Sequence, residues 1–204
     1  MENKDRILSR AAALFLRNGI KSVSMDDIAT DLGMSKKTLY KTFANKDELV
    51  QAVMTTHLLS AQGQCTRTAQ EATDAVQEML NISAWADEQF ANIHPSIFYD
   101  LKKYHPAAWA LLAAHKSTFI LNQITQNLRR GMAEGLFRTD LDVEVLARLN
   151  LAQIELAFDP DLYPPTQFGP MRVNKVFDEH FLLGVATLKG HRLFNKYQHI
   201  TEEE

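Results

Sequence analysis

Two helix starts lie eleven residues apart near the beginning of the chain, and one glycine turn separates them. Ser24 is followed three residues later by Asp27, which matches the capping-box pattern of a helix N-terminus. Gly33 ends the short helix that follows, and Ser35 can cap the next one. A short helix, a glycine-containing turn and a second short helix define a helix-turn-helix. The pattern therefore predicts a small three-helix domain at residues 1–46.

The second helix of this pair carries positive charge at its N-terminal end, where cations are unusual. Residues 35–46 contain four lysines and no acid, and Lys36 and Lys37 fall in the first turn, where the helix dipole disfavours cations by about 0.3–1 kcal/mol each. Leu39 and Phe43 share one face, which leaves the lysines for solvent. An isolated lysine cluster is more often only a solvated face. In a helix-turn-helix, however, the second helix enters the major groove with its N-terminal residues, and cations, hydroxyls and an aromatic ring suit phosphates and base edges.

Helical spacing continues along the rest of the chain. Apolar residues recur at intervals of three and four, with Pro95, Pro106 and Asp142 as signals for helix starts. No strand pattern longer than a few residues and no internal repeat is present, so the sequence predicts an all-α fold with a second, larger helical domain at 47–204. The helices predicted outside the helix-turn-helix pair cover 3–17, about 47–66, about 70–92, the segment SIFYDLKKY, the stretch from Pro106 to Gly135, 142–158 and about 173–195, with a long loop at 159–172.

Composition restricts the class of protein. A chain of 204 residues with 46% hydrophobic side chains can bury roughly 70% of its unfolded surface. The net charge is −3, but residues 1–50 hold nine basic against seven acidic side chains, a charge of +2 that leaves −5 for the remainder. Cys65 is the only cysteine and is interpreted as a small apolar filler. The early apolar run at 11–16 is too short to span a membrane. We therefore expect a soluble, cytoplasmic protein.

No catalytic, metal-binding or cofactor-binding pattern is present in the sequence. The seven histidines are scattered, without an HExxH motif or a cysteine pair. A nucleophile elbow, a phosphate-binding glycine loop and a dinucleotide fingerprint are all missing. We therefore predict no metal, no cofactor and no enzyme activity. A helical enzyme has only a cluster of aromatic residues in its favour.

That aromatic cluster lies between residues 85 and 119. Each of its rings alone is more typical of an ordinary core, but together they can line an apolar pocket between helices, the usual place for small-molecule sites in helical proteins. An apolar or aromatic ligand would suit such a pocket. The candidate pocket residues are Trp85, Phe90, His94, Phe98, Tyr99, Tyr104, Trp109, Phe119 and Gln123.

The run AAALFLRNGIKSVSMDDIATDLGMSKKTLYKTFANKDELVQAV resembles the TetR/AcrR family of bacterial transcriptional regulators. The resemblance rests on the D-I-A helix, the T-L-Y-x-x-F recognition helix and the K-x-E-L start of the fourth helix, and it covers about a quarter of the chain. The later segment GMAEGLFRTDLDVEVLARL also looks like the family's approach to its eighth helix. The resemblance implies a nine-helix subunit whose larger domain binds an effector and forms a homodimer through its last two helices, here about 142–158 and 173–195. Such a dimer would recognise a palindromic operator.

The resemblance also implies roles for single residues. By position in the matched motif, Lys36, Lys37 and Thr42 are candidates for base contacts. Thr38 and Tyr40, together with Lys46 at the start of the fourth helix, are candidates for phosphate contacts. Lys41 is basic at a variable position, and many family members carry glycine where Lys37 stands.

Two functions follow as hypotheses. The first is a DNA-binding regulator, in particular a repressor, that leaves its operator when a small molecule enters the core of residues 70–170 and shifts the long linking helix. The second is a DNA-tethered protein-interaction module without a small-molecule ligand, suggested by the acidic remainder and the proline-rich loop at 159–172.

Overall fold

The computed structural model describes residues 2–91, 93–94, 96–159, 161–164 and 166–200. These residues form eleven α-helices, one five-residue π-helical segment and no β-strand, so the all-α prediction is confirmed. The helices are α1 (Glu2–Asn18), α2 (Met25–Asp31), α3 (Lys36–Thr42), α4 (Lys46–Glu71), α5 (Ala75–Phe90), α6 (Ile97–Tyr104), α7 (Pro106–His115), α8 (Leu121–Ala133), α9 (Val143–Leu156), α10 (Pro170–Val185) and α11 (Leu188–Tyr197), and the π-helical segment is Lys116–Ile120.

The predicted helix caps are present. The Ser24 side chain accepts the backbone N–H of Asp27, and the Asp27 carboxylate accepts the backbone N–H of Ser24, which completes a capping box. Ser35 caps α3, and the Oδ1 atom of Asn45 accepts the N–H of Glu48 at 2.9 Å. Asp142 caps α9 in the same way. Each such cap contributes about 1 kcal/mol, so the helix boundaries of the first 50 residues are determined locally.

The predictions for the later helices are confirmed in part. The stretch from Pro106 to Ala133 is helical without interruption, and the π-helical segment is a bulge between α7 and α8. The helix predicted at 173–195 is instead two helices, since Ala186 is extended and the Thr187 side chain caps α11. The count in the described residues therefore exceeds the nine helices implied by the resemblance. Pro95, predicted to start a helix, lies outside the described residues.

The chain forms two compact units. The first contains the described residues of 1–63 and 92–115, and the second contains those of 64–91 and 116–204. The boundary predicted after residue 46 falls inside the first unit. The reason is that side chains from α4, α6 and α7 share one core with the three N-terminal helices; these side chains are Leu49, Val50, Val53, Ile97, Leu101 and Ala108.

Within the first unit, the end of α1 is joined to α6 by polar contacts. The backbone N–H of His94 donates to the Leu16 carbonyl at 2.7 Å, and the N–H of Lys21 donates to the Asp100 carboxylate at 2.9 Å. Gly19 lies between them with a φ of +82°, and a Cβ atom there would come within 2.6 Å of the Ser96 hydroxyl. A side chain at this position would therefore be both strained and obstructed.

The second unit has its own apolar core, which includes residues of α5, α8, α9, α10 and α11. Gly131 in α8 allows the Phe137 ring to pack against the helix backbone, since a Cβ atom at Gly131 would lie 2.0 Å from that ring. The chain then forms an isolated antiparallel bridge between Phe137 and Ala186. The start of α9 is thereby held near the end of α10.

Candidate nucleic-acid interface

Helix α3 is held by two buried side chains and exposes most of the others. Leu39 and Phe43 are fully buried in the core of the first unit, as their spacing predicted. Burial of side chains of this size stabilises a fold by about 1.5–3 kcal/mol each. Five residues on the remaining surface are exposed: Lys36, Lys37, Thr38, Tyr40 and Lys41. The short helix is therefore anchored on one side and free to contact a ligand on the other.

The lysines of α3 differ in their surroundings. Lys36 donates to the Asp26 carboxylate of α2 at 2.5 Å, and this hydrogen bond raises the pKa of Lys36. Lys37 and Lys41 have no ion-pair or hydrogen-bond partner among the described residues, and both are exposed. The surface of α3 thus presents two unpaired ammonium groups and a third that an acidic side chain holds in place.

The threonine hydroxyls of α3 bond to atoms of the helix and its cap. The Oγ1 atom of Thr38 lies 2.8 Å from the Oγ atom of Ser35, so it extends the N-terminal cap. Thr42 is partly buried, and its hydroxyl donates to the Thr38 carbonyl at 3.4 Å. The ring of Tyr40 is 47% exposed. Of the three, Tyr40 is the side chain most available to a ligand.

Lys46 is placed differently from the other predicted DNA contacts. Its Nζ atom donates to the Ile20 carbonyl at 2.5 Å and lies 6.0 Å from the centre of the Phe15 ring. Burial lowers the pKa of Lys46. The side chain therefore braces the turn between α1 and α2, and its predicted phosphate contact would require the ammonium to leave this carbonyl.

Comparison with known proteins agrees with this geometry. The family model for bacterial regulatory proteins of the tetR family matches residues 7–53, from α1 into α4, which includes the whole helix-turn-helix. The HTH-type transcriptional repressor KstR2 of Mycolicibacterium smegmatis is 25% identical over 152 residues, which are 71% of this chain and 72% of that protein. Residues 7–53 therefore form a helix-turn-helix domain of the tetR-family type.

Two further comparisons extend over most of the chain. The HTH-type transcriptional regulator YvaF of Bacillus subtilis is 29% identical over 170 residues, 78% of this chain and 82% of that protein. The crystal structure of the TetR-family regulator PfmR from Thermus thermophilus superposes with a TM-score of 0.62 at 26% identity, and it covers 89% of this chain and 97% of its own. The protein is therefore a DNA-binding transcriptional regulator with relatives that are repressors.

The ion pair between Lys36 and Asp26 leads to a prediction about DNA affinity. Asp26→Asn is expected to strengthen duplex binding, because the change releases the Lys36 ammonium and removes one negative charge per subunit from the surface around α3. The slope of log affinity against log salt should become steeper by about one per subunit. Fluorescence anisotropy of a labelled duplex at several salt concentrations measures both quantities.

Asp140→Asn is the matched control for this experiment. Asp140 is an exposed acid that pairs with Arg138 at 3.3 Å in the second unit. Its substitution should leave the duplex affinity and the salt slope unchanged. Equal salt slopes for Asp26→Asn and the wild-type protein would contradict the assignment of Lys36 to the DNA-binding surface.

The predicted effector-pocket residues are divided between the two units. His94, Phe98, Tyr99, Tyr104 and Trp109 belong to the first unit, whereas Trp85, Phe90, Phe119 and Gln123 belong to the second. The prediction needs correction for Tyr99 and Tyr104, which are exposed at the surface. They lie beside Lys103, whose ammonium donates to the Tyr99 hydroxyl at 2.6 Å. The lysine and the two rings form a surface cluster, so these two tyrosines do not line an enclosed pocket.

The polar side chains inside the second unit were missed by sequence reasoning. Asn150 and Asn174 are buried, and Gln153 has a buried Oε1 atom. A signal exists for two of them, since Asn150 and Gln153 lie three residues apart on an otherwise apolar face of α9. Polar groups at such positions are rare without a partner or a role.

The described residues show neither a metal site nor a membrane span. No group of three or more histidine, cysteine or acidic side chains in the described part of the chain is arranged to hold a metal ion. Among the described helices, none is both long enough and apolar enough to cross a membrane.

Proposed function

We propose that the protein is a dimeric repressor that binds a palindromic operator and leaves it when a small molecule binds the second unit. The observation that supports this proposal best is α3 itself, with its buried anchors and its exposed Lys37, Tyr40 and Lys41. In this proposal Lys36, Lys37 and Thr42 contact bases, and Thr38, Tyr40 and Lys46 contact phosphates. Lys46 takes part only if it exchanges the Ile20 carbonyl for a phosphate.

The proposed dimer interface lies on α9 and α10. Apolar side chains are exposed along one face of α9, at spacings of four and seven residues, and Val176 is exposed on α10. Exposed apolar side chains in such a row are typical of an interface. Two copies of one such surface give a two-fold dimer. In this proposal the interface helices are α9 and α10. The second of them ends at Val185, whereas the sequence implied an interface helix over 173–195. The exposed α9 residues are Val145, Leu149 and Leu156.

Two-fold symmetry determines the form of the operator. Each subunit would place one α3 in a major groove, and the two half-sites would lie about 34–36 Å apart, or a multiple of that distance. The operator should accordingly be an inverted repeat.

The proposed effector response involves α4. This helix is continuous from Lys46 to Glu71, and its residues up to 63 belong to the first unit while those from 64 belong to the second. A ligand that changes the second unit can alter α4 directly, because α4 is part of both units. A coupling free energy of about 1–3 kcal/mol would weaken operator binding by about 5–150-fold.

Selection of bound duplexes from a random library tests the proposal. The purified protein should enrich an inverted repeat at a stated salt concentration, and the enriched duplex then serves as the probe for effector screening. Phosphate contacts alone give binding that is sensitive to salt but not to sequence. Binding without any enriched sequence, lost uniformly as salt rises, would contradict a sequence-specific repressor.

A further inference from the structure

A polar layer lies above the apolar core of the second unit. The core contains Ala147 of α9 and Leu182 of α10 in one buried cluster. One turn further from the bridge between Phe137 and Ala186, the inward positions become polar. We name this set the polar layer; its members are Ser83, Asp87, Asn150, Gln153, Asn174 and Asp178.

The contacts between α5 and α10 place two acids in this layer. The Ser83 hydroxyl donates to the Asp178 carboxylate. Burial raises the pKa of Asp87, and the nearby ammonium of Lys175 opposes that shift. Ser83 thus lies beside Asp178, and Asp87 lies one turn along α5 beside Lys175. The two helices therefore run antiparallel, with both carboxylates at the same end of the unit.

The register of α9 against α10 adds the amides. The Arg138 N–H, shortly before α9, donates to the Val185 carbonyl at the end of α10 at 2.9 Å, so α9 and α10 also run antiparallel. A step of three or four residues moves about 4.5–6 Å along a helix on the same face. On α9, steps of this size lead from the buried Ala147 to Asn150 and Gln153, and on α10 they lead from the buried Leu182 to Asp178 and Asn174.

One amide of this layer has an unsatisfied hydrogen-bonding atom. Asn150 is 8% exposed and Asn174 is 9% exposed, so both amides are buried. The buried Oε1 atom of Gln153 has no partner among the described residues. A buried polar group without a partner costs about 1–3 kcal/mol. The unpaired Gln153 oxygen, in a unit that also buries the amides of Asn150 and Asn174, indicates a binding site.

The charges and rings around the layer define the ligand class. Carboxylates outnumber cations in the layer, and burial raises the pKa of Asp178, where the charge of Asp87 adds to the effect. Aromatic rings lie at the same end of these helices. The Phe90 and Phe158 rings are 5.0 Å apart, and Tyr163 lies 5.7 Å from Phe177, the neighbour of Asp178. Acidic oxygens beside aromatic rings favour an organic cation with an apolar body.

We propose that the polar layer binds an amphipathic organic cation, whose ammonium group lies at Asp178 and the Gln153 carbonyl and whose apolar part packs against the rings of Phe90, Phe158 and Phe177. Only the regulatory consequence of this site rests on the proposed function. The effector would then differ from the purely apolar or aromatic molecule that the aromatic residues alone predicted.

Three probes with matched rings and different head groups test the proposal by titration calorimetry. Phenethylamine carries a cation, phenethyl alcohol is neutral and phenylacetate is an anion. The wild-type protein should bind phenethylamine at least about tenfold more tightly than the alcohol, as a hydrogen bond to a charged group predicts, and should not bind phenylacetate. Asp178→Asn keeps the acceptor for Ser83 and should remove the preference for the amine.

The controls separate the site from the fold and from the proposed function. Asp140→Asn should bind like the wild-type protein, and circular dichroism checks that Asp178→Asn is folded. If the alcohol or phenylacetate binds as tightly as phenethylamine or more tightly, the proposal is overturned. If no probe binds, the proposal is also overturned, and the polar layer then holds only water. Binding of phenethylamine without release of the selected duplex would leave the site intact and refute effector control. If the protein binds no duplex, the proposed function is refuted, but the calorimetric test of the polar layer remains valid.

Discussion

The double variant Lys37→Ala/Tyr40→Ala is expected to bind the selected duplex at least about 30-fold more weakly than the wild-type protein. Both side chains are exposed on α3, and neither contributes to the core of the first unit. Loss of about 1 kcal/mol in each subunit corresponds to one typical hydrogen bond. A two-fold dimer doubles that loss, and about 2 kcal/mol corresponds to this change in affinity.

Anisotropy titration with the selected duplex measures the effect, and Tyr99→Ala/Lys103→Ala is the matched control. That pair has the same two residue types, exposed on α6 of the same unit and joined by a hydrogen bond of 2.6 Å. Thermal unfolding should be unchanged in both double variants. If the α3 variant binds the duplex as tightly as the α6 variant does, then α3 is not the recognition helix and the proposed function fails.

Replacement of Arg130 by methionine is expected to lower the free energy of unfolding by about 3 kcal/mol. The Arg130 guanidinium in α8 bonds to the Glu78 carboxylate at 2.9 Å and to the Glu134 carboxylate at 2.7 Å. It also donates to the carbonyls of Ala69 and Ala72 at the end of α4. Glu78 is only 4% exposed. Removal of the arginine therefore leaves a buried carboxylate without its cation, which is strongly destabilising.

Urea unfolding followed by circular dichroism tests this expectation. Arg138→Met is the control, because Arg138 pairs with Asp140 at the surface at 3.3 Å and such pairs contribute about 0–1 kcal/mol. The second substitution Glu78→Gln in the Arg130→Met protein should restore part of the lost stability, since it removes the buried charge. An Arg130→Met protein as stable as Arg138→Met would show that Glu78 does not depend on this arginine.

The sequence predicted the first 50 residues well because their structure is determined by short-range interactions. Ser24, Ser35 and Asn45 each cap a helix through contacts within a few residues. The division of the last predicted helix into α10 and α11 could not be predicted in this way. It depends on Thr187, whose backbone N–H donates to the Leu136 carbonyl and whose hydroxyl donates to the Gly135 carbonyl, about 50 residues earlier.

The candidate sites differ in the same respect. The recognition helix is contiguous in sequence, so its charge pattern and its buried positions could both be predicted. The polar layer is assembled from α5, α9 and α10, and its members Ser83 and Asp178 are 95 residues apart. The sequence predicted an apolar pocket from its aromatic residues instead. The polar residues could not be recognised, because single polar residues in amphipathic helices resemble ordinary surface positions. Only the pairing of α5 with α10 shows that Ser83 and Asp178 are in contact.

The shared core of the first unit limits how modular this regulator can be. Ile97 and Leu101 of α6 are buried in the same cluster as Leu39 and Phe43 of α3. A chimaera joined at residue 46 would give the helix-turn-helix a foreign α6 and would expose part of its apolar surface. Engineers who wish to exchange the DNA specificity of this protein should therefore transfer residues 1–63 and 92–115 together, as one packing unit made from two stretches of the chain.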